Sequence, residues 1–260
     1  MSGAASVLSS QQGAVVTLTL NRPERLNALD SDMATVLCDA IEAVKNNASA
    51  RVVVLRGEGA SFCCGGDVLS MHAQRDDLPG FIDQMIDAFH GSIMGLSRLP
   101  IPVIACVKGA VAGGGFSLAL ACDLVVAARS TRFVVAYPKL GVPADGGLTF
   151  RLTRRLGAVQ ALETLLSPAA MNADKALALG LINRVVADHE VEAETLRWAH
   201  ELMTLPVQSV NELKQLVAVQ SHGALEAHLA REKAAFLRCA ANPDVVARIA
   251  AFVNKTRGAA

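Results

Sequence analysis

The sequence predicts an α/β protein, with a largely parallel sheet and its helices over residues 1–187 and a helical region over 188–260. Three observations carry this. Short β-branched runs alternate with segments of helical apolar spacing, the pattern of parallel strands joined by right-handed crossovers. Strand-like runs stop near residue 187. Of the 260 residues, 52% are apolar and 18% charged, enough to bury a substantial core.

The first strand is expected at 14–20, AVVTLTL. Asp30 or Ser31 then offers an N-cap, and Met33, Val36, Leu37, Ala40, Ile41 and Val44 share one face, which predicts a helix over 31–46. VVVLR at 52–56 reads as the next strand. Residues 79–97 return to helical spacing with Phe81, Ile82, Met85, Ile86, Phe89 and Ile93. PVIACV at 102–107, LVVA at 124–127 and FVVA at 133–136 supply further strands. Beyond 187, helices are predicted over 189–204, 207–221, 224–240 and 243–257, broken near Pro206, Gly223 and Pro243.

Lys plus Arg equals Asp plus Glu at 24 each, so no overall field draws the chain to nucleic acid or an anionic membrane. An anionic ligand would have to be held locally. The six cysteines include no CxxC pair, the first twelve residues have neither a basic segment nor a long apolar one, and no Arg precedes Arg22. A cytoplasmic location without a targeting peptide is therefore expected. The longest apolar runs are of strand length, so no membrane span is expected, and neither is a metal or a separate cofactor.

Ligands of a parallel sheet collect beyond the carboxyl ends of its strands, and two such ends are rich in glycine. GEGASFCCGGDV follows strand 52–56 and KGAVAGGGFSL follows strand 102–107. Both loops are expected at one edge of the sheet, where the Gly66 and Gly114 N–H groups would form a two-donor pocket for an oxygen that becomes negative. Glycine allows close approach to the backbone, and the following helix adds the positive end of its dipole. The same glycines would also serve for tight turns alone. Residues 113–118 do not complete a dinucleotide or P-loop pattern. GFSLA approaches a nucleophile elbow, but about nine residues separate the strand from Ser117, whereas that elbow follows its strand directly.

LNRPERLNALD (20–30), SFCCGGDV (61–68), IPVIACVKGAVAGGGFSLALACDLVVAARSTRF (101–133) and LGVPADGGLTFRLTRRLG (140–157) resemble the successive signatures of the crotonase, or enoyl-CoA hydratase/isomerase, superfamily. The likeness runs from about residue 13 to the end. It implies a spiral of ββα units with a helical C-terminal region used in homotrimer assembly, often as hexamers, and an acyl-CoA thioester as ligand. It also implies that the thioester oxygen sits between the Gly66 and Gly114 N–H groups. Arg22, Arg25, Leu26 and Ala28 match the family's nucleotide-binding turn, and Cys64, Asp67 and Val68 the segment along adenine and pantetheine. Lys255 resembles a lysine that reaches the CoA phosphates, often of a neighbouring subunit. Surface charge is the plain alternative for Arg22 and Lys255.

Hydratases of the family use two glutamates, which align with Ser117 and the neighbourhood of Tyr137; neither is acidic here. A lone serine is too weak an acid to act as a general base, so Ser117 reads as a small hydroxyl that leaves room in the pocket. Asp145, in VPADGG, is similar to the proton-carrying Asp of family isomerases and to the nucleophilic Asp of aryl-CoA dehalogenases. It also fits an ordinary Asp-Gly turn. His90 is similar to a dehalogenase pocket residue, though a lone His on an apolar helix face is usually structural. Phe116, Val134, Ala136, Tyr137 and Leu148 are the expected apolar surroundings that would raise the Asp145 pKa. The favoured reading is an enoyl-CoA double-bond isomerase with Asp145 as proton shuttle. Hydratase and dehalogenase are the nearer alternatives, acyl hydrolase or an RNA-binding member the remoter ones.

Overall fold

The computed structural model describes residues 5–257. In chain order it begins with β1 (Val7–Gln12), β2 (Val15–Leu20), α1 (Ser31–Lys45), β3 (Val52–Gly57), α2 (Val68–Ala73) and α3 (Leu78–Arg98). Next come β4 (Val103–Val107), β5 (Ala110–Ala112), α4 (Gly114–Ala121), β6 (Leu124–Ala128) and β7 (Arg132–Val134). Then follow α5 (Leu148–Leu156), α6 (Ala158–Leu166), β8 (Met171–Asn172), α7 (Ala173–Ala178) and β9 (Arg184–Val186). The chain closes with α8 (Val191–Met203), α9 (Val207–Ala240) and α10 (Pro243–Arg257).

The main sheet has the order β1-β2-β3-β4-β6-β9. All its neighbours pair in parallel except β1 and β2, which form an antiparallel hairpin through Gly13. A small second sheet, β5-β7-β8, stands beyond the carboxyl end of β4. Alternation along β3 explains the layering. Val53 and Leu55 enter the large core with α1 and α3, whereas Val52 and Val54 face Val191 and Ala199 of α8. Among the described residues no helix is long and apolar enough to cross a membrane.

The expected strands and the helices at 31–46 and 79–97 are present within a few residues. Asp30 caps α1, its side chain accepting from the Met33 N–H at 2.9 Å. Three differences have physical reasons. The polar β1, VLSSQQ, was not expected; it is an edge strand with a single buried residue, so it carries no apolar alternation. Strand 133–136 joins the second sheet as the shorter β7. The predicted break at Gly223 does not occur, and 207–240 is one helix. A single glycine costs only about 1 kcal/mol relative to alanine inside a helix. Burial of Leu225, Leu229, Phe236 and Ala240 on one stripe outweighs that cost.

Candidate active site

The two glycine loops lie side by side, joined through their backbones. Cys63 bridges to Val111 and Gly66 to Leu29, with the Ala112 N–H donating to the Cys63 carbonyl at 3.0 Å and the Leu29 N–H to that of Gly65 at 2.7 Å. The triple glycine serves this junction position by position. Gly113 turns the chain into α4 at φ +49°. A side chain on Gly115 would bring its Cβ within 2.8 Å of the Cys63 carbonyl carbon, so the loops close only because none is there. Gly114, the first residue of α4, lines the adjoining cleft together with Gly66. Among the described residues neither the Gly66 nor the Gly114 N–H has a backbone acceptor. The empty space of the cleft, with the open solvent at its mouth, is about 820 Å³.

Its other wall carries one acid. Asp145 precedes the left-handed pair Gly146–Gly147 and is buried, yet it reaches the cleft. The Tyr137 hydroxyl donates to Asp145 Oδ1 at 2.6 Å. Ser117 Oγ donates to the Asp145 carbonyl at 2.8 Å and lies 3.0 Å from the Tyr137 hydroxyl. Burial pushes the Asp145 carboxyl up to about 7, against the opposing pull of the Tyr137 hydrogen bond. Burial, together with the neighbouring Asp145, drives the Tyr137 hydroxyl well above its ordinary value, so it stays a donor. Burial lowers His90 to about 4, and its Nε2 accepts from the Gly146 N–H at 3.3 Å. A neutral imidazole is what that bond requires.

Several expected positions are engaged within the fold. Arg22 is tied down on three sides, to the Ala28 carbonyl at 2.6 Å, Asp67 at 2.9 Å and Asp30 at 3.0 Å. These bonds brace the 22–30 turn. Asp67 also caps α2 through the Leu69 and Ser70 N–H groups. Ala28 is buried; Arg25 and Leu26 are exposed, with Leu26 left-handed at φ +50°. Cys64 and Val68 line the cleft. Phe116 does not: its ring packs on Phe133 with centroids 5.1 Å apart, because the helical turn aims it at the second sheet. Ser117 and His90 stand behind Asp145 rather than on the cleft surface. Lys255 is exposed on α10. That helix packs on α2 of the same chain and brings Phe252 to the cleft.

Sequence reasoning missed the apolar lining from distant segments: Met71, Met85, Phe89, Leu140, Phe236 and Phe252. It also missed Lys139 at the cleft and Asn27, whose buried amide donates to the Glu58 and Ser61 carbonyls at 2.9 and 2.8 Å. Helical spacing had marked Met85 and Phe89 as apolar, but not what they face. Among the described residues no group of three or more His, Cys, Asp or Glu could hold a metal ion.

Open backbone donors beside a buried carboxylate, beyond the strand ends of a parallel sheet, make this cleft the candidate active site. The comparisons with known proteins then fix the family. Residues 10–258 match the model of the enoyl-CoA hydratase/isomerase family. The chain is 32% identical over 250 residues to a 1,2-epoxyphenylacetyl-CoA isomerase of Escherichia coli, covering 96% of this chain and 95% of the relative. It is 30% identical over 259 residues to a short-chain-enoyl-CoA hydratase of Clostridium acetobutylicum, covering 97% and 96%. An enoyl-CoA hydratase crystal structure from Mycobacterium avium subsp. paratuberculosis superposes with a TM-score of 0.87 at 28% identity, over 96% of this chain and all of that one. This chain belongs to the enoyl-CoA hydratase/isomerase family and has the crotonase fold.

Proposed function

We propose that the protein is an enoyl-CoA double-bond isomerase in which Asp145 alone carries the proton. The observation behind this is that the cleft holds one carboxylate, raised to about 7, while Ser117 and Tyr137 occupy the positions where the family's hydratases align glutamates. The thioester oxygen of a 3-enoyl-CoA accepts from the Gly66 and Gly114 N–H groups, with the amino end of α4 behind it. Asp145 takes a proton from C2, the negative charge spreads to that oxygen as a dienolate, and the same carboxyl returns the proton at C4. The product is the conjugated 2-enoyl thioester. A carboxyl near pH 7 suits both halves of that transfer.

The name of the Escherichia coli relative, an isomerase of a CoA thioester, supports this reading, and that of the Clostridium relative supports hydration instead. Incubating the protein with 2-enoyl-, 3-enoyl- and haloaryl-CoA thioesters and identifying products separates the two. Isomerisation far faster than hydration of crotonyl-CoA is expected; efficient hydration would reverse the assignment, and dehalogenation of the aryl ester would make Asp145 a nucleophile. The same family reading carries CoA phosphates held by exposed basic side chains such as Arg25, Lys139 and Lys255. It also carries association into a trimer or hexamer, which the exposed Val159, Leu162 and Leu166 of α6 support.

A further inference from the structure

Four of the five buried positions 225, 229, 232, 236 and 240 on α9 are apolar, and the fifth is Glu232. A carboxylate on such a stripe is costly unless its oxygens are bonded. Both are. Oε2 accepts from the Gly147 N–H at 2.7 Å, and Oε1 accepts from Thr149 Oγ1. His228 Nε2 lies 2.6 Å from Thr149 Oγ1 and 3.3 Å from Glu232 Oε1, closing the cluster. Among the described residues no Lys or Arg pairs with Glu232. Its bonds therefore go to the turn that carries Asp145.

That turn needs holding. Gly146 and Gly147 lie in the left-handed region at φ +63° and +75°, a conformation glycine reaches but does not enforce. His90 from α3 accepts from the Gly146 N–H, and Arg151 from α5 donates to the Gly146 carbonyl at 3.1 Å. Glu232 adds the anchor from α9 and a negative charge close enough to act on Asp145.

We propose that Glu232 is a positioning residue, which fixes the 145–149 turn through Gly147 and Thr149 and sets a negative charge beside Asp145. This rests on Asp145 being the acid–base group. The ionisable groups around Asp145 are Tyr137, His90 from α3, Arg151 from α5 and Glu232 from α9, with His228 against Glu232. Lys233, one residue on, is engaged by Asp83 and Asp87.

Two variants separate charge from anchoring. Glu232→Gln can still accept from the Gly147 N–H but carries no charge. Loss of that charge lowers the Asp145 pKa, so the acidic limb of the pH–kcat/KM profile should move down by about half to one pH unit. Turnover on the plateau should stay within about threefold of wild type. Glu232→Ala should move the limb alike and also lose about 10²-fold in kcat through misplacement of the carboxyl, with binding of a non-reactive acyl-CoA unchanged. A Glu232→Gln profile that superposes on wild type overturns the proposal, whether or not the alanine variant folds. Asp145→Asn, run in parallel, keeps the two ideas apart. If it is inactive while Glu232→Gln leaves the limb in place, only the role of Glu232 falls. If it isomerises at the wild-type rate, the acid–base reading falls and the role of Glu232 with it.

Discussion

Asp145 meets two opposed demands, since burial favours its neutral form and the proposed proton transfer needs its charged one. At about pH 7 both are populated. Asp145→Asn keeps the shape and should retain acyl-CoA binding while losing isomerase turnover by about 10²–10⁴-fold, measured in single-turnover reactions. The folded pKa lies above the unfolded value near 3.8, so this group favours folding fully below that value and loses the contribution as pH rises toward 7. Asp145→Asn should therefore unfold at a higher temperature than wild type at pH 8, by on the order of 4 kcal/mol at most, and show no such gain at pH 4. A thermal scan at the two pH values checks this. Tyr137 works the other way, because its hydrogen bond lowers the Asp145 pKa. Tyr137→Phe should shift the acidic limb of the rate profile to higher pH, and an unmoved limb would mean the 2.6 Å bond does not form in solution.

At the level of elements, α1 and α3 were legible because each carries a clear apolar stripe, with a cap before α1. The hairpin strand β1 was not, since an edge strand with one buried residue leaves no pattern. Neither was the continuity of α9 through Gly223, which depends on what its stripe packs against. The entrance of α4 offers the sharpest test. Gly114 is the first helical residue, where proline is tolerated because that N–H has no partner within the helix. Gly114→Pro therefore removes the proposed donor at a position where the helix can form without it. Turnover should drop by about 10²–10³-fold with the fold retained by circular dichroism, while Gly114→Ala, which keeps the N–H, should be milder. Equal losses would point to crowding against Leu29, which a Cβ there approaches to 3.2 Å.

Across the whole molecule, the polar half of the candidate site was readable and the apolar half was not. Glycine loops and an Asp-Gly-Gly turn announce themselves in a local stretch of sequence. The cleft walls come from α2, α3, α9 and α10, and only the fold brings Met71, Phe89, Phe236 and Phe252 together. The three partners of Arg22, up to 45 positions away, were hidden for a related reason: sequence spacing does not show what a basic side chain meets in the fold. Val159, Leu162 and Leu166, exposed at 86, 57 and 66%, belong to this scale too. Leu162→Glu should lower the mass measured by light scattering from that of a trimer or hexamer toward a single chain; an unchanged mass would move the interface off α6. The seam between Cys63 and Gly115 limits how this cleft can change over evolution. At Gly115 a side chain would meet the Cys63 carbonyl, so that position of the main-chain wall cannot gain a reactive group without parting the two loops. The facing wall is side chain, at 137 and 145, with 117 directly behind them. Exchange of those three residues would redirect the chemistry while the amide wall stays as it is, so this scaffold is open to new reactions on one side only.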